Sequence, residues 1–265
     1  MSVNHATDFV KRQAHTTDAF LGGKLSILQP EKGFRAGQDS VLLGAAVSSA
    51  SRRLLDLGAG AGVAALVAMA HNPSLSAVLA ERNLEMAAFA RANVAGNGME
   101  ARAHVLELDA TVPGKERVSA GLDHDHFTSV IANPPFFADA EGTHAPQASR
   151  AQARHMQADT LALWVRTAAS AAGRDGEIIF IHRAEALPSL LAAFASRFGE
   201  IAILPIAARP GEKATRVLIK ARRNSRAPLQ LLAPFVLHHG NGNGFQPEAE
   251  AIFRGEALLD WYNRS

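Results

Sequence analysis

The sequence predicts an α/β protein built on a doubly wound, mostly parallel sheet with a reversed edge strand, and three observations carry that reading. From residue 53 onward, short apolar runs alternate with Ala-rich stretches of helical period, the pattern of strands joined by crossover helices. The first run, Arg53-Leu54-Leu55-Asp56-Leu57, passes directly into Gly58-Ala59-Gly60-Ala61-Gly62 and then a helix. Finally, Ile201 to Ala207 and Thr215 to Ala221 follow one another around the turn Arg209-Pro210-Gly211-Glu212-Lys213 without a helix between them, so one of the two runs backwards.

In chain order, residues 1–24 read as a mobile or loosely docked lead, and Leu25 to Pro30 as a short strand. Asp39 or Ser40 is the expected N-cap of an apolar helix through Val47, with Arg35, Gln38 and Asp39 facing a ligand cleft. After strand 53–57 and the helix Val63 to Ala70 come a strand Ala77 to Glu81, a helix from Asn83 through Asn97 ended by Gly98, and a strand Ala101 to Leu108 followed by Asp109. Thr111 to Asp125 is polar loop or short helix; Phe127 to Ala132 is the fourth strand of the series. Ala138 to His155 reads as a long loop over the substrate, Ala158 to Ala172 as a helix, Glu177 to His182 as a strand and Glu185 to Phe198 as a helix. Leu229 to Leu237 adds a further strand, and a short helix ends the chain. Three regions result: a lead and cap helix (1–52), a ligand-binding domain (53–222) and a C-terminal extension (223–265).

Composition narrows the chemistry. The 265 residues, 48% hydrophobic and 20% charged, suffice for one large domain with a full core. With no cysteine, disulfides, thiolate nucleophiles and Cys-based zinc sites are excluded, and the His124-Asp125-His126 trio lacks a third ligand pattern, so no metal is expected. No segment has the apolar run of about 18 residues that a membrane span needs, and the polar first 24 residues lead to the expectation of a soluble, cytoplasmic protein. The formal charge is +2, but the basic residues cluster at Arg150/Arg154, at Arg209/Lys213/Arg216 and at Arg222/Arg223, which favours an anionic partner such as RNA.

The glycine stretch is G-x-G-x-G preceded by the acid Asp56, a combination that suits a cationic ligand better than a pyrophosphate. Glu81 ends the next strand about 20 residues further on, where a carboxylate takes ribose hydroxyls, and Asp109 is placed to accept from an adenine amino group. Asn133-Pro134-Pro135-Phe136 then turns out of the fourth strand. Two prolines leave this loop rich in acceptors and poor in donors. The Asn133 side chain and the Pro134 carbonyl can take both hydrogens of a planar amine and localise its lone pair, while Phe136 stacks on the attached ring.

Taken in order, Asp56 with Gly58, Gly60 and Gly62, then Glu81, Asp109 and Asn133 to Phe136 resemble the motifs of class I S-adenosylmethionine-dependent methyltransferases that act on amino nitrogens. The resemblance implies their Rossmann-like fold and S-adenosyl-L-methionine as cofactor. With Gly33-Phe34-Arg35-Ala36-Gly37-Gln38-Asp39-Ser40-Val41-Leu42-Leu43 upstream, the chain is similar to the tRNA(Val) adenine-N6 methyltransferase family from about Leu25 to Ala221. That similarity implies an RNA substrate methylated on an adenine amino group. Its glycine loop is richer in alanine than is common there. Protein (release-factor) glutamine N5-methyltransferases share the Asn-Pro-Pro-aromatic loop, but usually carry a helical domain ahead of it, and only about 50 residues precede Asp56 here. An rRNA guanine N2-methyltransferase and a cofactor-binding protein without activity are the remaining alternatives.

Overall fold

A computed structural model describes residues 14–33, 35–135, 147–240 and 242–262, with residues 147–157 described by backbone alone. The elements are β1 (His15–Phe20), β2 (Leu25–Pro30), α1 (Gln38–Ala45), β3 (Arg53–Leu57), α2 (Val63–His71), β4 (Ser76–Glu81), α3 (Leu84–Gly96) and β5 (Ala103–Glu107). They continue with α4 (Gly114–Ser119), β6 (Phe127–Ala132), α5 (Gln147–Ala171), β7 (Ala172–Arg183), α6 (Leu187–Ala195), β8 (Phe198–Ala207), β9 (Arg216–Arg223), β10 (Gln230–Leu231), β11 (Phe235–Val236) and α7 (Pro247–Phe253).

The main sheet runs β10-β8-β9-β7-β6-β3-β4-β5, with β11 also on β8. Every pairing in it is parallel except those of β9, which is antiparallel to both β7 and β8. The reversed strand is therefore not at the edge, as the sequence suggested. β8 crosses over by α6 and leaves a gap that β9 fills, so each partner supplies a full ladder.

Alternation along the buried strands divides the core between the two faces of the sheet. Leu54 packs with α1, α2 and α3, whereas Leu55 and Leu57 pack with α5 and α6. Asp56 lies between them in register and so points toward α2, among apolar neighbours.

Residues 15–24 are not a loose lead. β1 pairs antiparallel with β2 from His15↔Pro30 to Phe20↔Leu25, around a turn in which Gly22 and Gly23 take positive φ. This hairpin is fixed to α3 by two amides one turn apart. Asn93 accepts from Leu28 N–H at 2.7 Å and donates to the Leu28 and Ala61 carbonyls, and Asn97 pairs both backbone groups of Ser26. Asn93 is 1% exposed.

Two further expectations are corrected. Gly37, not Asp39 or Ser40, caps α1; its carbonyl accepts from Ser40 and Val41, and Asp39 falls in the first turn, where the helix dipole favours an acid. The expected loop 138–155 is helical from Gln147 onward: the stretch 147–171 has neither Gly nor Pro and is rich in Ala, Gln and Arg, all good helix formers. Among the described residues, no helix is long and apolar enough to cross a membrane.

Candidate active site

A cavity of about 340 Å³ opens at the C-terminal ends of β3, β4, β5 and β6. It is lined by Gly58 and Gly60 from the first of these turns, Glu81, Arg82 and Asn83 from the second, Leu108 to Thr111 from the third, and Asn133 and Pro135 from the fourth. Met86 of α3 and Thr160 and Trp164 of α5 complete the wall. Such a crevice beyond the strand ends is where open α/β sheets hold ligands.

The glycine loop is anchored by Gly58 and Ala59 N–H groups donating to the Ala80 carbonyl at 2.8 and 3.1 Å. Gly58 adopts φ 65°, and a Cβ there would meet the Trp164 ring at 2.4 Å, so only glycine fits. Gly62, at φ 86°, caps α2, and a Cβ there would strike Leu79 at 2.7 Å. This packing keeps the turn close to the sheet and leaves its backbone facing the cavity.

Glu81 is 8% exposed, and its carboxylate takes Gly60 N–H at 2.9 Å on one oxygen and Asn83 N–H at 2.7 Å on the other. Each oxygen keeps a second lone pair for a hydroxyl donor. Asn83 also caps α3 by accepting from Met86 N–H at 3.0 Å. Asp109 accepts from both the backbone and the hydroxyl of Thr111 and is paired with Arg82 at 3.1 Å. Burial pushes the Asp109 carboxyl up, but the Thr111 hydrogen bonds and the Arg82 guanidinium outweigh it and hold the group below the usual carboxylate range.

Asn133 follows the last residue of β6, whose Ala132 is in register with Leu57 and with Phe180, so its neighbour across the sheet is Gly58. The Asn133 Oδ1 is buried and accepts no hydrogen bond from the described residues. A buried acceptor without a donor costs on the order of 1–3 kcal/mol, so an N–H group brought to it by a ligand would be favoured. Pro134 is buried beside it and Pro135 is exposed at the cavity rim.

The cavity thus brings together Gly58, Gly60, Glu81, Asp109, Asn133 and Pro135 of the residues singled out in the sequence. Phe136, Arg150 and Arg154 lie outside the residues whose side chains are described. Asp56 sits beneath the loop, 2% exposed, and accepts from Ala65 N–H at 3.2 Å. Its burial, partly offset by that hydrogen bond and reinforced by the Glu81 charge, pushes its pKa up to about 7. Arg35 and Asp39 do not line the cavity: Arg35 pairs with Asp18 at 2.5 Å and with the Pro30 carbonyl, and Asp39 pairs with Arg216 at 2.9 Å. The sequence reading missed Arg82, Thr111, Thr160 and Trp164. Only Thr111 carried a signal, since Asp-x-Thr is an Asx turn in which the acid binds the backbone two residues on.

The basic clusters divide. Because β9 runs against its neighbours, Arg216 and the turn holding Arg209 and the exposed Lys213 lie at the cavity end of the sheet, whereas Arg222 and Arg223 lie at the opposite end. There Arg222 pairs with Glu200 at 3.4 Å and Arg223 with Asp125. The two groups therefore do not both lie at the cavity end, where the sequence reading expected them.

Residues 37–165 match the family described as methyltransferase small domain. A tRNA1(Val) (adenine(37)-N6)-methyltransferase of Pasteurella multocida is 32% identical over 162 residues, which is 59% of this chain and 64% of that protein. The protein of the same name from Porphyromonas gingivalis is 29% identical over 200 residues, 71% of this chain and 76% of its own. Among solved structures, a predicted O-methyltransferase from Agrobacterium tumefaciens superposes with a TM-score of 0.71 at 35% identity, over 83% of this chain and 98% of that one. A 16S rRNA guanine-N2 methyltransferase of Thermus thermophilus, solved with AdoMet and guanosine, gives 0.51 at 17% identity, over 79% of this chain and 50% of that one, a likeness of fold alone.

Proposed function

Because the chain belongs to the class I S-adenosylmethionine-dependent methyltransferases of the small domain family, we propose that it transfers a methyl group to the exocyclic amino nitrogen of adenine in RNA, most specifically tRNA. The observation that carries this reading is the buried, unpartnered Oδ1 of Asn133 on the cavity shared with the glycine loop and Glu81. An acceptor with no donor of its own suits an N–H group. As the nitrogen becomes pyramidal and gains positive charge, its hydrogens bond more strongly, so the interaction grows toward the transition state.

The residues present fit the cofactor. The glycine turn packs its Cβ side on Trp164 and Leu79 and lines the cavity with Gly58 and Gly60, and Glu81 has lone pairs left for the ribose hydroxyls. When bound, S-adenosylmethionine supplies an electrophilic methyl group on a sulfonium. Glu81→Ala should weaken its binding by about 1.5–3 kcal/mol, the range for hydrogen bonds to a charged group, as measured by calorimetry. Glu81→Gln, which keeps one amide contact, should fall between that variant and the native chain. Equal affinity in all three would remove Glu81 from the site.

The tRNA assignment rests on the names of the relatives and on the basic cavity-end turn with Arg209 and Lys213, which suits a phosphate backbone. Oxygen methylation is the second reading, favoured by the name of the Agrobacterium structure. It is the weaker one chemically, because a hydroxyl must lose its proton to become a good nucleophile and Asn133 cannot take one. Radiolabelled methyl transfer to total tRNA and to total protein, followed by nucleoside analysis, decides among the readings. Label in N6-methyladenosine that falls steeply with added salt is expected. Label on a ribose oxygen or on protein glutamine, with none on adenine, would sink the proposal.

A further inference from the structure

The structure assigns Trp164, which no motif marks, to the site as the residue that distinguishes the charged cofactor from its neutral product. We infer that its indole ring forms an aromatic wall against the sulfonium. The inference rests on the cofactor reading above. If Asn133 grips the accepting nitrogen, the sulfonium that delivers the methyl lies beside Asn133. The sheet puts Gly58 next to Asn133, since Leu57 and Ala132 are in register. Trp164 is the residue packed on Gly58, with its benzo edge only 2.4 Å from where a Cβ would stand, and it lines the same cavity as both. Trp164 is 7% exposed and is carried to the glycine loop by α5.

A desolvated aromatic ring attracts a cation through its quadrupole and gives nothing comparable to a neutral group of the same shape. During transfer the S–CH₃ bond breaks as the N–CH₃ bond forms. The sulfur keeps the bonding pair and becomes a neutral thioether, and the new ammonium later loses its extra proton to water. S-adenosylhomocysteine therefore keeps the uncharged contacts of the cofactor but loses the methyl group and the attraction of its charge to the ring. Trp164 would then hold the charged cofactor and let the spent one go. Asp56 and Glu81 also favour a positive ligand, so the test must change the ring and leave the carboxylates intact.

Fluorinated tryptophans do this, because fluorine withdraws π density with little change of size. The other tryptophan, Trp261, lies away from the cavity against Lys220 and is replaced by Trp261→Phe as background. Affinities for S-adenosylmethionine and S-adenosylhomocysteine are measured across a series of increasing fluorination. The ratio of the two should fall steadily, by roughly three- to thirty-fold in total, with the product affinity almost unchanged. Trp164→Leu should lower the ratio similarly, and Trp164→Phe should largely retain it. A constant ratio across the fluorinated series, or loss of both ligands in parallel, would overturn the role of Trp164 while leaving the cofactor assignment standing. Failure of the Trp261→Phe and native chains alike to bind S-adenosylmethionine would instead overturn the cofactor assignment itself.

Discussion

Replacing Asn133 with alanine is expected to lower the rate of methyl transfer by on the order of 10²- to 10³-fold while leaving S-adenosylmethionine affinity nearly unchanged, by analogy with deletion of one preorganised oxyanion donor. The separation follows from position. Asn133 Oδ1 accepts no hydrogen bond from the described residues and is not needed to fix the glycine loop, which is tied to Ala80 and Glu81 instead. Its removal also relieves a buried unsatisfied acceptor, so the variant should melt at least as high as the native chain. Single-turnover kinetics with saturating cofactor, together with a melting curve, provide the check. A variant with native turnover, or one that no longer binds the cofactor, would show that the Asn-Pro-Pro turn acts through structure alone.

The second large effect concerns Asp56. With its pKa raised to about 7 by burial, the folded chain keeps a proton between about pH 4 and 7 that the unfolded chain has released. The stability tied to that proton is complete below about pH 4 and is lost as pH rises to 7, with a slope of about 1.4 kcal/mol per unit and a sum on the order of 4 kcal/mol. His182 works in the other direction. Its burial, together with the Arg183 and Arg216 charges and against a backbone hydrogen bond, lowers its pKa to about 4, so the folded chain loses stability as pH falls below the ordinary histidine value. The two slopes therefore oppose each other between about pH 4 and 6.5, and the Asp56 loss continues toward 7. Asp56→Asn removes one arm, and its stability relative to the native chain should climb with pH across this range in urea titrations. A difference between the two that does not depend on pH would mean that Asp56 is ionised in the fold. A cationic ligand bound above the loop should also expel the Asp56 proton, seen as proton release when buffers of different ionisation enthalpy are compared.

Much of this was readable in the chain because local signals and tertiary demands agree. β3 and β6 begin and end at the residues the apolar runs indicate, since buried parallel strands must be apolar throughout and are cut off by Gly58 and Pro134. Glu81 ends β4 and Asp109 follows β5 by two residues, and the region just beyond strand ends is where the sheet gathers its ligand groups. Long-range pairing was not readable. Arg35 and Asp39 look like free polar groups in a glycine-rich turn, but Asp18 and Arg216, 17 and 177 residues away, claim them. Trp164 looks like one more apolar residue of an amphipathic helix; its place at the site depends on how α5 lies across Gly58. β9 has the composition of an edge strand, and only the crossover of β8 makes it interior.

Asn93 bears on how this architecture can change over generations. One amide group satisfies the backbone of the N-terminal hairpin and the carbonyl of Ala61 inside the glycine loop. Aspartate would present an oxygen to two carbonyls, glutamine is longer by a methylene, and serine is too short to reach both sides. Drift at that position is thus blocked by reach and by donor chemistry alike, although Asn93 does not line the cavity. The rim of the cavity is under no such constraint, since Arg82 and Pro135 are solvent-facing. Acceptor preference can then diverge among descendants while the hairpin, α3 and the glycine loop are inherited as one unit.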